Sequence, residues 1–424
     1  MTGVKHNLLT LAVVATQSVM AADTESAGNK QSTIVEKAIR KSLKKPAGEL
    51  TRADLVKVTE LNLNVSSANR FQSGAMIKET GLDEVGRRIV EYVKSSEATG
   101  FSGSVLAARN GKVVATVGVG SCDLAGKSRI TPDTLFEIAS ATKQFTAAAV
   151  MRLMQENQLD LDDSIAKHLP DVPVDCKAIT VRHLLQHTSG IPGKNSRGSG
   201  EDLGKVLPLF LLGGPRHPPG TRWEYWNQGY ALLSEIIARA SGQQYTDFCQ
   251  RALFTPSGMH MTRFTGDAAP TGATIAVGRS TYGKPRSALE HPYGNYGFQY
   301  RGMGGVVTTV WDLWRWDRTL HGEAVLGQSA KSELFKPGLR GYALGWFVKK
   351  NKGGRQVQFH GGSVRGFACQ IRRYPKQDAC LFVLSNRDDI PVGKMASTLE
   401  RILFGDPPTS RKLPRAQRSL LEPK

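Results

Sequence analysis

The chain has 424 residues, 40% of them hydrophobic and 22% charged. That is the balance of a packed globular protein with room for one large catalytic domain and a minor appendage, not of a disordered or fibrous chain. A formal net charge of +19 favours association with anionic surfaces such as phospholipid or acidic cell-wall polymer; nucleic-acid recognition would need a basic face interleaved with stacking aromatics or a known binding module, and neither is visible.

The opening residues read as a secretory signal over 1–22. Lys5 and His6 precede the apolar stretch Leu8 to Val14, and Val19-Met20-Ala21 resembles a small-residue cleavage site. The stretch is too short to span a membrane, so the expectation is export to the periplasm or the exterior with no transmembrane span in the mature chain. No cysteine follows the cleavage site, so a lipid anchor there is not expected. Residues 23–79 read as a polar linker and a small appendage: Ile34, Ala38, Ile39 and Leu43 have helical spacing, and Leu55, Val58, Leu61 and Leu63 resemble the opening of one leucine-rich repeat. A helix is predicted around Leu82, Val85, Ile89, Val90 and Val93, then a hairpin of Ser102–Arg109 and Val113–Val119 about Asn110-Gly111. Residues 131–325 read as helices and long loops, with 262–300, rich in Gly, Thr and Pro, as a cleft-side loop. Strands return at 342–349, 355–360, 367–374 and 379–385, a helix spans 392–404, and a basic tail covers 406–424. The fold class is therefore α/β of the α+β type: one antiparallel sheet formed from both ends of an 80–405 domain, flanked by helices, beside a mainly helical region. The active site is expected at the seam between them.

Five cysteines (Cys122, Cys176, Cys249, Cys369, Cys380) are sparse, odd in number and lack metal-ligand spacing. A four-residue turn at 375–378 pairs Cys380 with Arg373, so register disfavours a Cys369–Cys380 bridge.

Three motifs carry the chemistry. Ser140-Ala141-Thr142-Lys143 places a hydroxyl and an amine on one helix face. Apolar Phe145, Ala149, Met151, Leu153 and Met154 follow at helical spacing, which signals burial. A buried lysine loses affinity for its proton, and a serine hydroxyl needs such a base to become a nucleophile. The second copy, Ser42-Leu43-Lys44-Lys45, is explained by a solvated basic helix. Tyr225-Trp226-Asn227 is the second motif, with a further Tyr-x-Asn at Tyr293-Gly294-Asn295. His360-Gly361-Gly362 is the third. His183 and His187 share a helix face but lack a third ligand, so packing and support of the Thr188-Ser189-Gly190 turn are expected of them. His168, His217, His260, His291 and His321 read as surface residues, and His360 is open to a packing or a site role.

With these motifs in place, the chain resembles the serine β-lactamase and penicillin-binding-protein-like hydrolases, on the class C β-lactamase, DD-peptidase and esterase branch. The resemblance covers about residues 80–405. It includes Phe136 to Lys143, Ile179 to Pro192, Pro219 to Tyr230, Gly304 to Thr309, Tyr342 to Trp346 and His360 to Gly362. It implies a β-lactamase/transpeptidase-like fold, no metal or organic cofactor, and a small-molecule, peptide or ester substrate. It further implies Ser140 as nucleophile, Lys143 as its proton-relay partner, and Tyr225 as a second acid/base group whose phenol a cationic Lys143 would have to lower. Asn227 would orient Lys143 and substrate, His360, Gly361 and Gly362 would line the cleft, and the backbone N–H groups of Ser140 and Ser363 would hold the oxyanion. Two departures, Gly361 in place of a hydroxyl residue and Trp226 in place of a small one, shift the expected substrate from penicillins or D-Ala-D-Ala ends toward an ester or another amide. The competing expectation is a non-catalytic, penicillin-binding-protein-like protein that binds the cell envelope through the same cleft.

Overall fold

The computed structural model of the protein describes residues 82–194, 203–293 and 299–406. The signal-like segment, the 23–79 appendage, Asn295 of the second Tyr-x-Asn and the basic tail beyond 406 lie outside these residues. The first helix, α1 (Glu84–Glu97), starts where Asp83 caps it by accepting the Gly86 N–H at 2.7 Å, and it buries Ile89, Val90 and Val93. Strands β1 (Gly103–Arg109) and β2 (Lys112–Val119) form the predicted hairpin. Its turn residues Asn110 and Gly111 both have positive φ, 53° and 69°, as the tight turn of a twisted hairpin requires.

The short strand β3 (Phe136–Glu137) leads through a single 3-10 turn, Ala139–Thr142, into α2 (Lys143–Gln155). Apart from Arg152 and its last two residues, α2 is buried on every face, so it forms the spine of the helical region. Around it lie α3 (Val181–Leu185), α4 (Leu203–Phe210), α5 (Asn227–Ser241) and α6 (Tyr245–Cys249). Next come β4 (Arg263–Phe264), β5 (Val277–Gly278), β6 (Arg286–Ser287), α7 (Gln299–Met303) and β7 (Val306–Thr308). The 262–300 stretch is thus loop-rich but pinned by two small sheets, β3-β7-β4 and β5-β6. Helices α8 (Val310–His321) and α9 (Gln328–Leu334) precede β8 (Phe347–Lys350), β9 (Gln356–Val364), β10 (Phe367–Tyr374), β11 (Ala379–Ser385) and α10 (Val392–Phe404).

The main sheet has the order β2-β1-β11-β10-β9-β8, antiparallel throughout, so early and late segments of the described domain share it. Its strands alternate between two cores. Val105, Ala107, Leu381 and Val383 face α1 and α10, while Leu106, Ala108, Phe382 and Leu384 face the helical region. Arg373 pairs with Cys380 and Cys369 with Leu384, as the turn length predicts, and all five cysteines are free and buried.

Two expectations are corrected. The predicted 342–349 strand is mostly a turn, because Gly345 at φ 73° lets the chain pass against the Lys143 carbonyl, where an added Cβ would sit 2.5 Å from that oxygen. Nor are His168 and His321 plain surface groups. His168, only 8% exposed along its side chain, bonds Asp163 at 3.0 Å. His321 closes α8 with its ring 3.3 Å from Asp378.

Candidate active site

Ser140 stands in the turn that joins β3 to α2. Ala139, just before it, has φ 45°, a left-handed conformation that a residue with a Cβ rarely adopts. The turn is held from both sides: Ile138 N–H donates to the Val306 carbonyl at 2.9 Å, and the Cys369 thiol donates to the Ile138 carbonyl at 3.2 Å. Gly362 on β9 packs against the same carbonyl, where an added Cβ would lie 2.1 Å from the oxygen. Glycine is therefore required there for the strand to approach the Ser140 turn. That contact joins the two segments carrying the predicted oxyanion donors, Ser140 and Ser363.

Lys143, the first residue of α2, is fully buried. Its Nζ lies 3.2 Å from Ser140 Oγ, 2.9 Å from Asn227 Oδ1 and 2.8 Å from the Met303 carbonyl. No partner in this set is anionic. Burial accordingly drives the amine well below the usual lysine range. A neutral amine has two N–H donors and one lone pair. Asn227 and Met303 accept the two N–H bonds, which leaves the lone pair facing the Ser140 hydroxyl.

Tyr225 is half-buried with its ring centroid 5.0 Å from Nζ. Its hydroxyl makes no hydrogen bond of normal geometry. Burial raises the phenol above its ordinary value, and a nearby Ser140 offsets this only in part. The expected lowering by Lys143 does not occur: burial of the phenol outweighs what its neighbours offer. Behind Tyr225 stands His187, 2% exposed, its ring 4.2 Å from the phenol ring. His187 Nδ1 accepts the Trp226 N–H at 3.1 Å, and His183 Nδ1 accepts the Thr180 N–H at 3.1 Å, so both rings serve backbone support. Among the described residues, no cluster of three His, Cys, Asp or Glu is arranged to hold a metal ion.

His360 on β9 is buried, with Nδ1–H donating to the Gly361 carbonyl at 2.6 Å and Nε2 3.2 Å from the Tyr342 hydroxyl. Burial first, and Lys143 second, push its pKa down to about 3. The ring is thus a neutral wall of the site. The first atoms a side chain at Gly361 would meet belong to Gln370 and Cys369 on β10. Trp226 is 1% exposed and packs on Gly229. It faces the core, so its size does not narrow the cleft.

Ser140, Lys143, Tyr225, Asn227 and His360 are therefore brought together around one amine. Sequence reasoning missed His187 as the support of Tyr225, the Met303 carbonyl, and Glu137, a buried acid three residues before Ser140. A separate cavity of about 410 Å3, bordered by Pro192, Lys194, Arg216 and Glu224, opens beside the second motif and not over Ser140; the Lys143 contacts locate the chemistry better than cavity size does.

The sequence profile of the Beta-lactamase family matches residues 87–403. Penicillin-binding protein 4* of Bacillus subtilis (strain 168) is 30% identical over 333 residues, covering 72% of this chain and 73% of that protein. Protein flp of Staphylococcus aureus (strain NCTC 8325 / PS 47) is 29% identical over 325 residues, and this chain spans 61% of its length. Among solved structures, the octameric penicillin-binding protein homologue from Pyrococcus abyssi superposes with a TM-score of 0.64 at 25% identity, over 80% of this chain and 81% of that one. The D-amino acid amidase from Ochrobactrum anthropi SV3 complexed with D-phenylalanine shares the fold at a TM-score of 0.65 and 23% identity, over 76% and 99%. A nucleophile turn anchored to a mixed α/β fold and matched over most of the chain makes this protein a member of the beta-lactamase family of serine hydrolases.

Proposed function

We propose that the protein is an exported hydrolase that cleaves an ester or amide lacking a carboxylate beside the scissile bond, through an acyl-enzyme at Ser140. The observation that carries this reading is the contact set of Lys143. Its amine is buried without a counterion, its N–H groups are taken by Asn227 and Met303, and its lone pair is left to the serine. Lys143 accepts the Ser140 proton as Oγ bonds to the substrate carbonyl carbon. The backbone N–H groups of Ser140 and Ser363 stabilise the negative oxygen that forms. Tyr225, protonated at rest, gives its proton to the leaving alcohol or amine and regains one from Lys143. Water then attacks the acyl-enzyme by the same route in reverse and releases the acid.

The neutral His360 supports an acyl donor without a carboxylate beside the scissile bond, because no cation stands at that position to receive one. An amide of a D-amino acid fits the chemistry named for the amidase above; β-lactams and D-Ala-D-Ala ends rank lower. Export rests on the signal-like residues 5–21, and the +19 charge supports residence at an anionic envelope surface. A purely binding role finds no support in a buried amine set against a serine.

Intact-mass measurement after exposure to a fluorophosphonate, a penicillin and a chromogenic ester tests the reading. A covalent adduct that disappears in Ser140→Ala is the expected result. No adduct with any reagent would favour envelope binding without catalysis.

A further inference from the structure

Glu137 is a buried acid with both carboxylate oxygens engaged, three residues ahead of Ser140. It is 1% exposed on β3. Arg286 of β6 donates to Oε2, and the Tyr300 hydroxyl donates to Oε1 at 2.5 Å. Arg286 is itself fixed, with Nε on the Arg365 carbonyl at 3.0 Å, Nη1 on the Glu290 carbonyl at 2.8 Å, and its guanidinium over the Phe367 ring.

The path from Tyr300 leads back to the catalytic amine. Tyr300 belongs to α7, and three residues later the Met303 carbonyl accepts an N–H from Lys143. The same segment is tied to the start of α2 twice more. Thr146 Oγ1 donates to the Gly302 carbonyl at 2.6 Å, and Val306 N–H donates to Thr142 Oγ1 at 3.0 Å. Glu137, Tyr300, Met303, Lys143 and Ser140 therefore form a closed circuit. Covalent chain supplies three of its links, and hydrogen bonds supply the rest.

Resting on the reading of Ser140 and Lys143 given above, we propose that Glu137 is a positioning residue for acylation: through Tyr300 it holds the Met303 carbonyl against Lys143 and so aims the amine's lone pair at Ser140. The physical reason is valence. If Met303 drifts, one Lys143 N–H loses its acceptor and turns toward the serine oxygen, and a donor cannot take the serine's proton. A misplacement of about 1 Å in a reacting group costs on the order of a hundredfold in rate. Burial lifts this acid to about 7, while Arg286 and the Tyr300 hydroxyl favour its ionised form; where it is ionised, its charge-assisted bonds resist such drift better than neutral ones.

Three variants test the proposal: Tyr300→Phe, Glu137→Gln, and Glu137→Gln combined with Arg286→Met. The single Glu137→Gln leaves a buried guanidinium without its counterion and can fail to fold; the double variant removes that imbalance. Each is compared with the wild-type chain for the rate of fluorophosphonate labelling at Ser140, for kcat and KM with a chromogenic ester, and for the thermal midpoint. Labelling and kcat are expected to fall about tenfold in Tyr300→Phe and about a hundredfold in the double variant, with KM unchanged. A wild-type labelling rate in any of the three that folds overturns the proposal, as does a loss confined to KM or to the thermal midpoint. Absence of labelling in the wild-type chain is a separate result: it overturns Ser140 as nucleophile and the role of Glu137 with it.

Discussion

Lys143 and Arg373 are both basic side chains 2% exposed or less, and what surrounds them makes opposite use of that burial. Arg373 on β10 places Nε 2.6 Å from Asp317 Oδ1 and Nη1 2.7 Å from Gln358 Oε1. Its charge meets a counterion, and arginine cannot give up its proton in any case. It pins α8 to the sheet. Lys143 meets only neutral acceptors, and a lysine so placed sheds its proton. A buried cation with a carboxylate holds structure together; one without becomes a base. The same contrast recurs within one turn of chain, where Glu137 has Arg286 and Lys143 has no acid.

The widest test of this contrast is at Lys143. Lys143→Ala is expected to cut kcat/KM with a chromogenic ester by at least about a hundredfold; full activity would remove the amine from the mechanism. Lys143→Met should lose as much activity yet melt at a higher temperature at pH 7. The sign follows from proton counting: the unfolded lysine titrates near 10.4 and the folded one well below, so the unfolded chain binds more protons between those values and the lysine's penalty fades as pH rises. The gain in melting temperature should accordingly shrink toward pH 10, as calorimetry across pH would record. Wild-type activity should fall as pH drops through the lowered Lys143 value, since the protonated amine has no lone pair.

Tyr225→Phe is expected to lower kcat by about a hundredfold through loss of a proton donor, and a stopped-flow assay that found normal turnover would assign the leaving-group proton elsewhere. At Arg373 the opposite pattern is expected. Arg373→Met leaves Asp317 buried with Arg318 and, at 3.7 Å, His321 beside it, costing about 3 kcal/mol in urea unfolding, while the folded fraction keeps its kcat. The smallest effect on activity is at His360. With its pKa near 3, the ring stays neutral from pH 4 upward, so His360→Gln should leave the acidic limb of the kcat/KM profile in place. Unfolded histidine protonates near 6.5, so His360 weakens the fold as pH falls from there toward 3, and the glutamine variant should be more acid-resistant in that window.

Ser140 and Lys143 were legible because three-residue spacing on an apolar helix fixes their separation by local geometry alone. The hairpin at Asn110-Gly111 and the β10–β11 register were legible for the same reason: short turns dictate pairing. Local rules fail where partners are remote. Glu137 meets Arg286 and Tyr300 across 149 and 163 residues, and no periodicity records such a meeting. The direction of the Tyr225 shift is not legible in the motif, because the burial that raises the phenol depends on remote packing. A motif gives identities and not the face each side chain takes: Trp226, the extended residue just before α5, is turned into the core.

The five thiols carry a consequence of their own. Each is free and buried, and burial lifts each above its ordinary titration range, Cys176 to about 12. Since thiolate is the reactive form, the intact protein should stand up to alkylating agents and oxidants without any crosslink to defend it. Modification with iodoacetamide would then count only molecules that have opened, and the order in which Cys122, Cys249 and Cys380 became accessible would chart which layer of the protein comes apart first.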